Sequence, residues 1–153
     1  MSIDRPTRWP WPPLVYGTLL VASTLLDMLV PWELPLSPRA RLSGFAIVAA
    51  GLALDVWAML TLMRARTTIM PHRGSVALVT DGPYRFSRNP IYLGNTALLA
   101  GVGVLFGSWW VVAAAFLATG IVWVLAVRRE EAHLAARFGP VWDDYARRVN
   151  RWI

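Results

Sequence analysis

Between Ile91 and Val127 the chain carries no charged residue. At about 1.5 Å per residue a single helix of that length would extend roughly 55 Å, well past the ~30 Å hydrocarbon core of a bilayer. The run must therefore fold back on itself. Gly107 and Ser108 interrupt it and lead into Trp109 and Trp110, and a glycine turn beside paired indoles suits a membrane–water boundary. Two spans, 91–107 and 109–127, form a hairpin on this reading.

Upstream, 14–30 and 42–63 are two further apolar segments of spanning length, within a chain that is 56% hydrophobic and holds nine Trp. The fold class expected is all-α: a single membrane-embedded domain over 1–153 with about four transmembrane helices, a polar loop and a C-terminal amphipathic helix. Arg5 and Arg8 precede the first segment as they would in a secretory leader. The stiff "RWPWPP" entry and the lack of a small-residue cleavage site favour a retained span. With no cysteine and two histidines, disulfides, thiolate sites and a cysteine nucleophile are excluded, and no metal site is expected.

The net charge of +6 comes entirely from arginine against nine acids. Arg5 and Arg8 precede the first span, Arg39 and Arg41 follow it, and Arg64, Arg66, Arg73, Arg85 and Arg88 lie between the second and third. Arg128, Arg129, Arg137, Arg147, Arg148 and Arg151 follow the fourth. If both termini are cytoplasmic, thirteen arginines fall inside and two outside, as the positive-inside rule requires. Topology at an inner, cytoplasmic membrane, with anionic lipid headgroups as partners, accounts for this basicity. A nucleic-acid partner is not expected.

Two polar regions remain. The first closes the long 64–90 connection with "GPYRFSRNPIYLG", Gly82 to Gly94. The second is the tail from Arg128, in which the last span can run on as a helix to Phe138. Gly139 can close that helix and Pro140 can open another, with Val141, Trp142, Tyr145 and Val149 on one face, lying in the membrane interface. The hairpin leaves one membrane face just after "RNPIYLG" and returns to it at "RREE". Glu130 and Glu131 should come back beside Arg88 to Gly94.

"LVTDGPYRFSRNPIYLG" followed, after a two-span hairpin, by "REEAHLAARFGPVWDDYARRVNRWI" resembles the isoprenylcysteine carboxyl methyltransferase and phospholipid methyltransferase group of integral membrane enzymes. The resemblance covers roughly Leu78 to Ile153, about half the chain, with its motifs in the stretches 78–94 and 128–151. It implies an S-adenosylmethionine site built from Gly82, Pro83, Tyr84, Asn89, Pro90, Tyr92, Gly94, Glu130 and Glu131, with Leu78 and Val79 on the adenine side. It assigns Arg88, Tyr92 and Glu131 to the catalytic centre. Asn89 stands where the pattern usually has histidine; its amide can hydrogen-bond but cannot titrate near neutral pH, so no imidazole base is implied there.

The residue types suit that cofactor independently of the resemblance. Its ribose diol and ammonium call for carboxylate acceptors, its own carboxylate for an arginine fork, and its sulfonium for aromatic faces or carbonyl oxygens. Gly82 and Gly94 permit close backbone approach, while Pro83 and Pro90 stiffen the loop. The function expected is methyl transfer to a lipophilic acceptor entering from the bilayer. Carboxylate O-methylation, which needs no general base, leads; phospholipid or amine N-methylation is the alternative. A small membrane transporter or scaffold is the reading from another class, motivated by Asp55 inside the second span.

The same residues admit plainer roles. Tyr84 and Tyr92 can be aromatic-belt residues, Arg85 and Arg88 topology anchors, and the two glutamates a solvated helix face. Asp55 can pair with an arginine at the span end, Asp27 can reach interfacial water, and His72 can be an incidental loop residue. Gly101 and Gly103, with Ala97 and Ala100, are expected to let helices pack closely.

Overall fold

The computed structural model describes residues 11–65 and 77–153. Seven α-helices are found there: α1 (Trp11–Leu29), α2 (Pro38–Arg41), α3 (Ser43–Arg64), α4 (Pro90–Phe106), α5 (Trp109–Val122), α6 (Arg128–Phe138) and α7 (Pro140–Arg148). A 3₁₀ turn at Gly82–Arg85 precedes α4, and a π turn at Trp123–Val127 joins α5 to α6 without a break. The all-α expectation holds, since the described residues contain one isolated bridge, Glu33 with Ser108, and no strand. Arg5, Arg8, Arg66, His72 and Arg73 lie outside the described residues.

Among the described residues three helical stretches, Pro12–Leu29, Pro38–Arg64 and Trp109–Phe138, are long and apolar enough to cross a membrane, and Pro90–Phe106 is a shorter apolar helix. At about 1.5 Å per residue α4 is roughly 25 Å long, at the short end of what spans a bilayer. Exposed apolar side chains such as Phe45, Phe106, Phe116 and Leu117 cover the outside of the bundle, as lipid rather than water requires. The chain is an integral membrane protein.

The packing order is α3, α4, α5, α1. Helices α3 and α4 run antiparallel with glycines at matched heights. A Cβ on Gly44 would lie 2.6 Å from the Gly101 carbonyl, and one on Gly51 would lie 2.7 Å from the Gly94 carbonyl. Glycines at 44 and 51 therefore face glycines at 101 and 94, and the two backbones touch. On the other side of α4, a Cβ on Gly103 would lie 2.7 Å from Val112, and Ala114, Ala115, Ala118, Val122 and Ala126 continue the buried seam. Without a hydrophobic driving force between helices in lipid, such small-residue contacts carry the association. Ala97 and Ala100 are half-buried.

The hairpin turns where the sequence predicts. Gly107 ends α4 with φ +69°, a left-handed conformation that glycine adopts at no cost, and the Ser108 side chain caps α5 through Val111 N. Trp109 N donates to the Trp32 carbonyl at 2.9 Å, and the Trp32 ring meets Trp110 edge-on at 4.9 Å. Asp27 accepts from Trp32 N rather than only from water. The helix starts and ends otherwise sit within a few residues of the expected spans. At the opposite end of the bundle lie the 3₁₀ turn, the start of α4, α6 and α7.

The face expected of α7 is only half right. Trp142 and Tyr145 are buried, but Val141 is 63% exposed, and Val149 lies beyond the helix in extended backbone. In a nine-residue helix the two aromatics suffice to set its rotation, because they turn toward the loop that precedes α4.

Candidate active site

The loop is stiff before anything binds. Gly82 opens the 3₁₀ turn at φ +59°, and a Cβ there would sit 2.6 Å from the Thr61 hydroxyl of α3. Both conformation and space demand glycine. Pro83 is fully buried, and Pro90, also fully buried, starts α4 at the position where a missing N–H costs nothing. Leu78 and Val79 are half-buried coil leading into the turn.

The C-terminal segment ties itself to this loop. Arg88 N donates to the Asn150 carbonyl at 3.0 Å. The Ser87 hydroxyl and the Asn89 side-chain amide both donate to the Arg151 carbonyl, at 3.2 and 3.1 Å. Ser87 Oγ also accepts from Asn89 N at 3.0 Å, and the Tyr145 hydroxyl donates to the Tyr84 carbonyl at 2.8 Å. Asn89, read in the sequence as a cofactor contact, spends its amide on this clasp.

The two glutamates divide their work. Arg151 grips Glu131 through Nε at 3.1 Å and a second nitrogen at 2.7 Å, and Arg88 approaches the same carboxylate at 3.4 Å. The Arg88 guanidinium also lies over the Trp142 ring, 5.7 Å from its centroid. Glu130 faces a different partner: the Tyr92 hydroxyl lies 3.1 Å from both its oxygens. Among the described residues no cation pairs with Glu130, whereas Glu131 has two.

Electrostatics follow from burial. Burial first, then the nearby Glu130 charge, pushes the Tyr84 phenol well above the ordinary tyrosine range. Burial, opposed by Arg88 and reinforced by Glu131, raises Tyr145 to about 12. Both hydroxyls stay protonated at neutral pH, and that of Tyr145 donates to the Tyr84 carbonyl. The hydrogen bonds to Glu131 hold Arg151 more firmly charged than usual.

The fold thus brings Gly82, Pro83, Tyr84, Arg88, Asn89, Pro90, Tyr92, Glu130 and Glu131 to one end of the bundle, while Gly94 packs against Gly51 and Asp55 of α3. It adds Ser87, Trp142, Tyr145 and Arg151, which the sequence reading left out of the site. The arginine and aromatic residues of the tail had been explained by topology and by the interface, and no spacing rule marks a residue whose backbone carbonyl is the functional atom.

Residues 40–141 match the family model described as phospholipid methyltransferase. The chain belongs to the phospholipid methyltransferase family. Two curated relatives are metal-resistance proteins. The nickel-cobalt-cadmium resistance protein NccN of Alcaligenes xylosoxydans xylosoxydans is 40% identical over 77 residues, which is 50% of this chain and 36% of that one. The cobalt-zinc-cadmium resistance protein CzcN of Cupriavidus metallidurans (strain ATCC 43123 / DSM 2839 / NBRC 102507 / CH34) is 29% identical over 118 residues, 77% of this chain and 49% of that one. This family member therefore spans half or less of the length of these relatives. Among solved structures, the eukaryotic intramembrane Ras methyltransferase ICMT superposes with a TM-score of 0.72 at 22% identity, over 96% of this chain and 53% of that one. The membrane methyltransferase fold is shared.

S-adenosylmethionine fits the residues present. Among the described residues Glu130 is a half-buried carboxylate without a cation, and the Arg88 Nε is buried without a partner. A carboxylate for the diol or ammonium and a guanidinium for the carboxylate are the acceptor and donor that such a molecule needs.

Proposed function

We propose that the protein transfers a methyl group from S-adenosylmethionine to a lipophilic acceptor that reaches the site from the bilayer. The observation that carries this reading is the convergence of the Gly82–Arg85 turn, the start of α4 and the glutamates of α6 at one end of a lipid-facing bundle. Glu130, oriented by Tyr92, would hold the ribose diol or the ammonium group, and Arg88 the carboxylate. When bound, the cofactor supplies an electrophilic methyl on a sulfonium. The protein's own part is alignment and exclusion of water, since in-line displacement needs little else.

Two acceptor chemistries fit. Carboxylate O-methylation is supported by the fold shared with ICMT, and an arginine would orient the acceptor. Amine N-methylation is supported by the match of residues 40–141 to the phospholipid methyltransferase family. The termini, by the arginine distribution, are cytoplasmic, and the membrane is the inner one.

Purified protein in detergent or nanodiscs should gain thermal stability with S-adenosylhomocysteine and pass a radiolabelled methyl group into a total lipid extract. No stabilisation and no transfer would instead support the transporter or scaffold reading.

A further inference from the structure

Helix α1 lies before the stretch that matches the family model, residues 40–141, yet one of its side chains reaches the backbone of a site residue. Tyr16 is 8% exposed and belongs to the same buried cluster as Tyr92. Among the described residues it is the one α1 side chain that hydrogen-bonds to another helix. Its hydroxyl lies 2.9 Å from the Thr96 hydroxyl of α4, 3.3 Å from the Tyr92 carbonyl and 3.5 Å from the Thr119 hydroxyl of α5.

Thr96 is the hub of this cluster, because its hydroxyl also lies 2.6 Å from that of Thr119 and 2.7 Å from the Tyr92 carbonyl. A hydroxyl has one proton and two lone pairs, and a carbonyl only accepts. The contacts of Thr96 at 2.6, 2.7 and 2.9 Å are therefore satisfied together in one way: Thr96 donates to the Tyr92 carbonyl and accepts from Thr119 and Tyr16. Protons from α1 and α5 converge on α4 and pass on to the peptide of Tyr92. Tyr92 and Thr96 are four residues apart, on one face of α4. At the far end of the Tyr92 side chain the hydroxyl lies 3.1 Å from both oxygens of Glu130.

We propose that Tyr16 is a positioning residue of the methyl-transfer site, which through Thr96 holds the backbone of Tyr92 so that its hydroxyl stays on Glu130. The inference rests on the methyl-transfer reading above. It makes α1, outside the family match, a working part of the site rather than one more span. Hydrogen bonds between membrane helices also serve simply as glue, and the two roles part in what they do to cofactor affinity.

The test is a double-mutant cycle on the full chain in nanodiscs, reading S-adenosylhomocysteine affinity and thermal stability for wild type, Tyr16→Phe, Tyr92→Phe and the double variant. Tyr16→Phe should weaken binding about fivefold, the size of one hydrogen bond. In the Tyr92→Phe background, which has no hydroxyl to place, the same change should leave affinity where it is, while its effect on melting temperature should be equal in both backgrounds. Thr119→Val should weaken binding as Tyr16→Phe does, and Thr119→Ser, which keeps the donor, should not; this pair carries the comparison if Tyr16→Phe does not fold. Unchanged affinity in both Tyr16→Phe and Thr119→Val overturns the proposal, whatever the melting temperatures do. So does an equal loss of affinity in the wild-type and Tyr92→Phe backgrounds, which would leave Tyr16 as glue alone. Failure of wild type to bind S-adenosylhomocysteine would instead sink the methyl-transfer reading itself.

Discussion

The side-chain amide of Asn89 donates to the backbone carbonyl of Arg151, 3.1 Å away and 62 residues along the chain. This bond closes a clasp that also uses Ser87 and the Arg88 backbone, and it places Arg151 where its guanidinium reaches Glu131. An amide suits the position because what it meets is an acceptor that never ionises.

Asn89→Leu removes that donor and leaves the Arg151 carbonyl one partner short. Stability should fall by about 1–2 kcal/mol, and the amides of Arg88 and Val149, which donate to the Asn150 and Tyr145 carbonyls, should lose protection in hydrogen exchange while α4 and α5 keep theirs. Asn89→His, which can donate from either ring nitrogen, should retain most of the protection. Equal tail protection in Asn89→Leu and wild type would remove the clasp from the account.

The glutamates should part company on mutation. Glu130→Gln keeps the shape and loses only the charge facing the site, so cofactor affinity should drop by roughly 1.5–3 kcal/mol with little change in thermal stability. Glu131→Gln leaves Arg88 and Arg151 facing a neutral amide, so the protein itself should lose roughly 1.5–3 kcal/mol. Thermal melts with and without S-adenosylhomocysteine separate the two effects, and identical behaviour of the variants would contradict the geometry.

Tyr145 gives a pH dependence with a definite sign. Burial raises its folded-state value from 10.0 to about 12, so the folded chain holds this proton more tightly than the unfolded one. The contribution is complete below about pH 10 and is lost as pH rises toward 12. Tail protection should decline across that window in wild type, and the decline should be weaker in Tyr145→Phe, which has no proton to lose.

Gly94→Ala should be among the most damaging single-methyl changes in the chain. The new Cβ would meet Asp55 and lie 2.9 Å from the Gly51 carbonyl, so α3 and α4 must separate. A loss of about 1–3 kcal/mol is expected, as for overpacking a tight core. Gly120→Ala, where nothing lies within 4 Å of the added methyl, is the control that should be tolerated, and abundance in the membrane compares them.

Reporter fusions check the proposed orientation, which puts the site on the cytoplasmic side. One after Arg148 should report the cytoplasm, and one near Pro38 the opposite side. A C-terminus on the far side would place cofactor and site in different compartments.

The sequence by itself determined the spans, the hairpin turn and the meeting of the two motifs. These follow from free energies that act locally: an uncharged run too long for one crossing, a glycine beside paired tryptophans, and polar motifs at the two ends of the hairpin. Only the tertiary structure decided which atoms each motif spends on holding itself together. Asn89 and Arg151 are joined through a backbone carbonyl, which looks the same in every residue and leaves no trace in a sequence. Glu130 and Glu131 are neighbours of identical type, yet the rotation of α6 turns one toward Tyr92 and the other toward two arginines. Asp55 is visible as a charge in a span, but its burial against Gly94 depends on the close contact of α3 and α4. That contact is set by glycines that match across two helices 43 residues apart in sequence at Gly51 and Gly94.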